Sequence, residues 1–301
     1  MLRWRLIIGA ALIAALVGLS WLDAQEPRPG AVLASVAIGA TVLAAGEMRR
    51  LFEHRGVELS TSAVYMGSVV PVAVSAIPIF FPILQMNSTL GSAGWLGLGM
   101  TLGLMAVFAG EMRKFTAPGE SIVNVAHAAL SSLYVGGLMG TLVQLRLSEA
   151  PSSIAGLKGQ FALLALIATV KLSDICQYVV GRLFGRHKLA PLISPGKTWE
   201  GAIGGILLAT VIAAATMAWV TQGEQGWRPA HLLLCWVYAL AVALAGITGD
   251  LAESLLKRDA GVKDSSDWLP GFGGVLDLLD SIMFAAPIGY VWTVWGVIGL
   301  T

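Results

Sequence analysis

About nine stretches of this 301-residue chain are apolar for long enough to cross a lipid bilayer, and little else constrains its fold so tightly. They run at about 5–22, 30–46, 63–85, 92–110, 121–145, 160–181, 201–221, 231–256 and 278–300. A helix needs roughly 20 apolar residues to cross the hydrocarbon core. Lipid offers no partner to backbone N–H and C=O groups, so each stretch must satisfy its own as a helix. Composition agrees. Charged residues make up 12% of the chain and hydrophobic residues 56%, whereas a soluble domain carries about 25% charge. The expected fold is all-α: a polytopic integral membrane bundle of about nine transmembrane helices. Residues 1–150 supply five spans, and 151–301 form a C-terminal region with long loops at 182–200 and 257–277.

Charge sorts the loops into two sides. One side holds Arg3, Arg5, Arg49, Arg50, Arg55, Arg113, Lys114, Arg182, Arg186, Lys188, Lys197, Lys257, Arg258 and Lys263. The other holds only Arg28, Arg146, Lys158 and Arg228, and Lys171 lies inside a span. Basic residues gather on the cytoplasmic side of membrane proteins. This asymmetry therefore predicts a cytoplasmic N-terminus and places both long basic loops in the cytoplasm, where nucleotides are. The net charge of +1 suggests no nucleic-acid partner. Cys176 and Cys235 sit in apolar stretches and read as buried thiols. The run after Arg3 and Arg5 is longer than a signal-peptide core and lacks a small-x-small cleavage site, so it reads as the first span.

Ala45-Gly46-Glu47-Met48-Arg49-Arg50 recurs as Ala109-Gly110-Glu111-Met112-Arg113-Lys114. This is either a duplicated helix pair or two helices that end alike, with cations near the C-terminal dipole and the cytoplasm.

Ionisable groups within spans are costly and usually face a bundle interior or a wet cavity. Three clusters stand out, all after residue 170. In the first, Asp174, Gln177, Tyr178 and Gly181 share one helical face near Lys171. That is either a functional carboxylate or an interhelical hydrogen-bond seam with a Lys171–Asp174 pair. The second runs from Arg182 to Gly201. Its Gly196-Lys197-Thr198 lacks the upstream glycine and strand of a P-loop, so that match fails. Ser194, Lys197, Thr198 and nearby backbone N–H groups nevertheless suit an anion; a basic loop on anionic head groups is the other reading. The third runs from Gly249 to Ser281. Asp250, Ser254 and Lys257 share a face, and Asp277 and Asp280 lie at i, i+3. Converging carboxylates make a hard-oxygen site for Mg²⁺ with substrate phosphates. Helix caps and ion pairs are the alternative.

The last two clusters resemble the phosphatidate cytidylyltransferase (CDP-diacylglycerol synthase) family. Ser254, Lys257, Arg258, Lys263, Asp264, Pro270, Gly271, Gly273, Gly274, Asp277 and Asp280 fall at the spacings of its C-terminal signature. Upstream, the stretches Asp174 to Gly181, His187 to Pro191, Ser194-Pro195, Lys197 to Gly201, Gly249-Asp250 and Glu253-Ser254 are similar too. The resemblance covers roughly residues 170–285. Two positions depart: the family's turn histidine is Phe272, and the arginine between its paired aspartates is Leu278.

The resemblance implies CTP + phosphatidate → CDP-diacylglycerol + pyrophosphate in phospholipid biosynthesis. It implies a divalent cation, such as Mg²⁺, on Asp250, Asp277 and Asp280. Lys257 and Arg258 join these as catalytic groups that, with Lys263, neutralise the triphosphate. Ser194, Lys197 and Thr198 would hold phosphate. Glu200, Ser254, Asp264, Gly273, Gly274 and Asp174 complete the substrate-binding set. Replacing Asp277 or Asp280 by alanine is expected to abolish turnover without loss of fold. The expected setting is the bacterial inner membrane, with the active site facing the cytoplasm. Phe272 and Leu278 motivate two alternatives: an enzyme for another lipid phosphate, and a degenerate paralogue that binds nucleotide or lipid. A transporter is a third, disfavoured because the polar groups collect at one membrane face. Small-residue runs such as Gly201 to Gly205 serve either a homodimer or packing within one chain.

Overall fold

The computed structural model describes residues 2–87, 91–148, 157–221, 229–266, 268 and 273–295. Pro270, Gly271, Phe272 and Arg228, and the end of the last predicted span, lie outside the described residues. The helices are α1 (Leu2–Gln25), α2 (Ala31–His54), α3 (Thr61–Phe80), α4 (Pro82–Asn87), α5 (Gly91–Lys114), α6 (Ser121–Ser131), α7 (Leu138–Leu147), α8 (Leu157–Phe184), α9 (Trp199–Thr221), α10 (Pro229–Asp259) and α11 (Val275–Val294). Among the described residues, nine helical segments are long and apolar enough to cross a membrane by length and composition. The protein is an integral membrane protein. Its outer faces carry large apolar side chains such as Met105, Leu133, Ile203 and Val211, which suit lipid and would associate in water.

The expectation of helices alone omitted one feature. The loop after α8 folds into an antiparallel hairpin of β1 (Lys188–Ala190) and β2 (Ser194–Thr198), with Lys188 opposite Thr198 and Ala190 opposite Ser194. The fifth span is also uneven. A π-helical stretch, Ser132–Gly137, joins α6 to α7. There the Ser132 hydroxyl donates to the Gly67 carbonyl at 2.6 Å.

The chain folds as two compact units. The first comprises residues 1–147 and 256–279, so the segment from Leu256 to Leu279 belongs with the N-terminal helices rather than with 151–301. Its centre is α3, and small residues let the neighbours close in. A Cβ on Gly99, Gly103 or Gly110 of α5 would stand 2.8–2.9 Å from α3 backbone atoms. The repeated hexapeptides flank this same helix: a Cβ on Gly46 would meet Tyr65 Oη at 2.7 Å, and one on Gly110 would meet Ala63. Asp23, fully buried, accepts from the Gly30, Val32 and Leu33 amides at 3.0–3.1 Å and so caps α2. It also pairs with buried Arg146 at 2.8 Å.

The second unit comprises residues 148–255 and 280–301. Here α8 and α9 pack backbone to backbone. A Cβ on Gly201 would lie 2.8 Å from Gly181 Cα, and one on Gly205 would lie 2.4 Å from Gln177 Cα. The Gly201–Gly205 run therefore packs helices within the chain. Likewise a Cβ on Gly249 of α10 would meet the Asp280 carbonyl at 2.6 Å. That close approach brings the residue after Gly249, Asp250, alongside Asp280.

Candidate active site

Within the second unit, four elements contribute charge to one neighbourhood. Asp174 comes from α8, Lys197 from β2, Asp250 from α10 and Asp280 from α11. Lys197 Nζ lies 2.7 Å from Asp250 Oδ2, and the Ser254 hydroxyl donates to Asp250 Oδ1 at 3.3 Å, one turn along the helix. The predicted Lys171–Asp174 pair is present at 3.5 Å. The charge of Asp250 reaches both Asp174 and Asp280, as does that of Lys171. Asp280 is 5% exposed and accepts from the Ser281 amide at 2.5 Å. Lys171 and Lys197 are thus two ammonium groups among three carboxylates. Like-charged carboxylates close together repel, most of all at buried Asp280, and a bound cation would relieve that repulsion.

Several hairpin side chains have partners within the protein. Thr198, expected to donate to phosphate, is buried, and its Oγ1 accepts from the Gly201 amide at 3.2 Å. It is the N-cap of α9. Glu200, expected to touch substrate, instead accepts from the Arg186 and His187 amides at 3.0 and 3.1 Å and from His187 Nδ1 at 2.5 Å. It clamps the entry of the hairpin to the first turn of α9. Ser194 is half-buried and Lys197 faces Asp250.

Within the first unit, Asp277 has other company. Its Oδ1 pairs with Lys257 Nζ. Its Oδ2 accepts from the Ser265 amide at 2.9 Å, the Ser265 hydroxyl at 2.6 Å and the Gly274 amide at 2.7 Å. The helical spacing of Asp277 and Asp280 suggested one shared task, but their partners differ. A metal on Asp277 would share the carboxylate with Lys257 and the turn's own donors. Lys257, expected to neutralise the triphosphate, is likewise buried against this carboxylate. Gly273, at φ +83°, turns left-handed where a Cβ would stand 2.5 Å from Asp277 Oδ2. Arg258, Lys263 and Asp264 are exposed, and Arg258 reaches back to the Val262 carbonyl at 3.1 Å. Leu278 is half-buried.

One residue of this turn escaped the sequence reading. Glu47 of α2 is 5% exposed. Its Oε1 accepts from the Val275 amide at 3.0 Å and the Ser266 hydroxyl at 2.8 Å. Its Oε2 accepts from the Leu276 amide at 2.7 Å and lies 3.0 Å from the Ser265 hydroxyl. Its counterpart in the repeated hexapeptide, Glu111, is also buried and accepts from Asn124 Nδ2 at 3.0 Å. Buried charge is therefore not confined to positions after 170. A carboxylate kept inside each repeated helix end was the signal.

Residues 3–295 match the Cytidylyltransferase family. The chain belongs to that family. Among curated relatives, the phosphatidate cytidylyltransferase of Haemophilus influenzae is 43% identical over 129 residues, which are 43% of this chain and 44% of that protein. The phosphatidate cytidylyltransferase of Staphylococcus saprophyticus is 38% identical over 169 residues, 56% of this chain and 58% of that protein. That of Pseudomonas aeruginosa is 42% identical over 137 residues, 44% and 49% respectively. The chain spans about half the length of the curated relatives it matches.

Among the described residues, no group of three or more His, Cys, Asp or Glu is arranged to hold a metal ion. Asp250 and Asp280 fit a different kind of site. Mg²⁺ is commonly held by one or two carboxylates, with water and substrate phosphates filling the remaining positions.

Proposed function

We propose that this chain condenses CTP with phosphatidate, giving CDP-diacylglycerol and pyrophosphate. Family membership and the three phosphatidate cytidylyltransferases among its relatives support the reaction class. The observation that carries the reading is the placement of Asp250 and Asp280 side by side, with Lys197 on Asp250. A phosphate oxygen of phosphatidate attacks the α-phosphorus of CTP. A new P–O bond forms, the α–β bridge bond breaks, and pyrophosphate leaves with its electrons. The attacking oxygen is already anionic, so no proton need be removed. The work left to the protein is positioning and charge stabilisation.

Asp250 and Asp280 would hold the divalent cation, which supplies charge neutralisation at the phosphates. Lys197 is poised to exchange Asp250 for a phosphate oxygen, and Ser194 can donate beside it. Asp174, paired with Lys171, tunes the local charge. Arg258 and Lys263 belong to the first unit and are exposed cations. The Lys257–Asp277 pair and Gly273 set the turn that precedes α11. In this reading the N-terminus and both basic loops face the cytoplasm of a bacterial inner membrane, where CTP is available. Cross-linking in native membranes decides whether a homodimer forms.

The test is direct. The purified chain receives labelled CTP, phosphatidate and Mg²⁺. The expected result is labelled lipid with matching pyrophosphate, lost on chelation and restored by Mg²⁺. CTP binding without product would transfer the reading to another lipid phosphate. Neither binding nor product would overturn it in favour of a non-enzymatic paralogue.

A further inference from the structure

The start of α11 presents a problem that its own sequence does not solve. The first amides of a helix lack intrahelical acceptors, and a Ser, Thr, Asp or Asn at the N-cap usually supplies one. Here the N-cap position is Gly274, which has no side chain. Asp277 reaches back to the Gly274 amide, the reciprocal half of a capping box. The other half comes from a different helix: Glu47 takes the Val275 and Leu276 amides, one on each oxygen. Gly274 is required for this, since its Cβ would stand 2.4 Å from Glu47 Oε2 and 2.1 Å from Ser265 Oγ.

Ser265 links the two carboxylates. Its single hydroxyl lies 2.6 Å from Asp277 Oδ2 and 3.0 Å from Glu47 Oε2. A hydroxyl has one proton to donate, so a shift of either carboxylate changes what Ser265 gives the other. Glu47 therefore fixes the helix start and, through Ser265, the oxygen of Asp277 opposite to that which pairs with Lys257.

We infer that Glu47, on the second membrane helix, is a positioning residue for nucleotidyl transfer, setting from outside the family signature the start of α11, where Asp277 meets Lys257. The inference rests on the cytidylyltransferase reading. A purely stabilising Glu47 would affect only how much protein folds. A positioning Glu47 changes turnover in protein that has folded.

Glu47→Gln preserves shape but offers one accepting oxygen where two are used. Its expected effect is a tenfold or greater fall in kcat, with KM for phosphatidate unchanged and faster hydrogen exchange at Val275 and Leu276. Ser265→Ala breaks the same link and should lower kcat in the same direction. The double variant should be no worse than the weaker single, as members of one network are not additive. Should Glu47→Gln fail to fold, Ser265→Ala decides. Wild-type kcat in the folded fraction of Ser265→Ala, or of Glu47→Gln, overturns the inference while leaving the reaction intact. An inactive wild-type chain overturns the cytidylyltransferase reading itself, and this inference with it.

Discussion

Asp280 and Asp277 lie three positions apart on one helix yet face different partners, so their substitutions should behave differently. Asp280→Asn and Asp250→Asn each remove a charge from a site crowded with like charge. Each should lower turnover by about 100-fold or more, the scale of losing a transition-state electrostatic group, while melting temperature stays level or rises. Asp277→Asn should cost stability as well, because it takes the carboxylate charge from buried Lys257; breaking a buried pair costs up to about 3–5 kcal/mol. Melting curves and initial rates on the same preparations separate the two classes. If Asp280→Asn unfolds the protein and Asp277→Asn does not, the assignments are reversed. The sequence carried the carboxylates and their spacing. It did not carry the occupancy of their lone pairs, which depends on Ser265 and Gly274. Glu47 was harder still to read, because its Ser265 partner lies 218 positions along the chain and no local pattern records that contact.

Helix ends and crossings account for much of the rest. Thr198 and Glu200 looked like ligands because hydroxyl and carboxylate beside a lysine suit a phosphate. The structure uses them for a cap and a clamp, and a one-dimensional pattern cannot separate those uses. The glycines were more legible as small residues than as particular contacts. Gly205→Ala should lower the melting temperature markedly, since its Cβ would enter the Gln177 backbone, which has no way to retreat. Gly196→Ala, with nothing within 4 Å of the added carbon, should leave it unchanged. Equal effects would mean that the α8–α9 crossing is looser than described. A second case is Asp23, which caps α2 and pairs with Arg146. Asp23→Asn keeps some capping but leaves a buried guanidinium without its anion, for an expected loss of about 3–5 kcal/mol. Replacing Arg146 by Met in the same chain should recover part of that loss in denaturant titrations. No recovery would show that capping, rather than the ion pair, is the main contribution of Asp23.

The number of spans and their order were readable from the sequence because lipid leaves a hydrophobic segment so few options. Contacts within the first unit agree with alternating spans. Lys114 reaches the Glu58 carbonyl and Arg49 reaches Thr61, tying the ends of α5 and α2 to the start of α3. At the other end of α3, Arg28 donates to the Phe80 carbonyl at 3.1 Å. Alternation concerns relative sides only, and the expectation that the basic side is the cytoplasm rests on the distribution of Lys and Arg. Labelling tests that directly. Cys176 and Cys235 are both buried and can be replaced by alanine to give a clean background. Single cysteines are then placed at Gly196 in the exposed hairpin and at Glu26 in the exposed α1–α2 loop. A membrane-impermeant maleimide added to spheroplasts should label Glu26→Cys and spare Gly196→Cys; in inside-out vesicles the pattern should reverse. Labelling of Gly196→Cys from outside would place the hairpin, and Lys197 with it, away from the CTP pool. That outcome would defeat the proposed reaction in the cell even if the purified chain performed it in detergent.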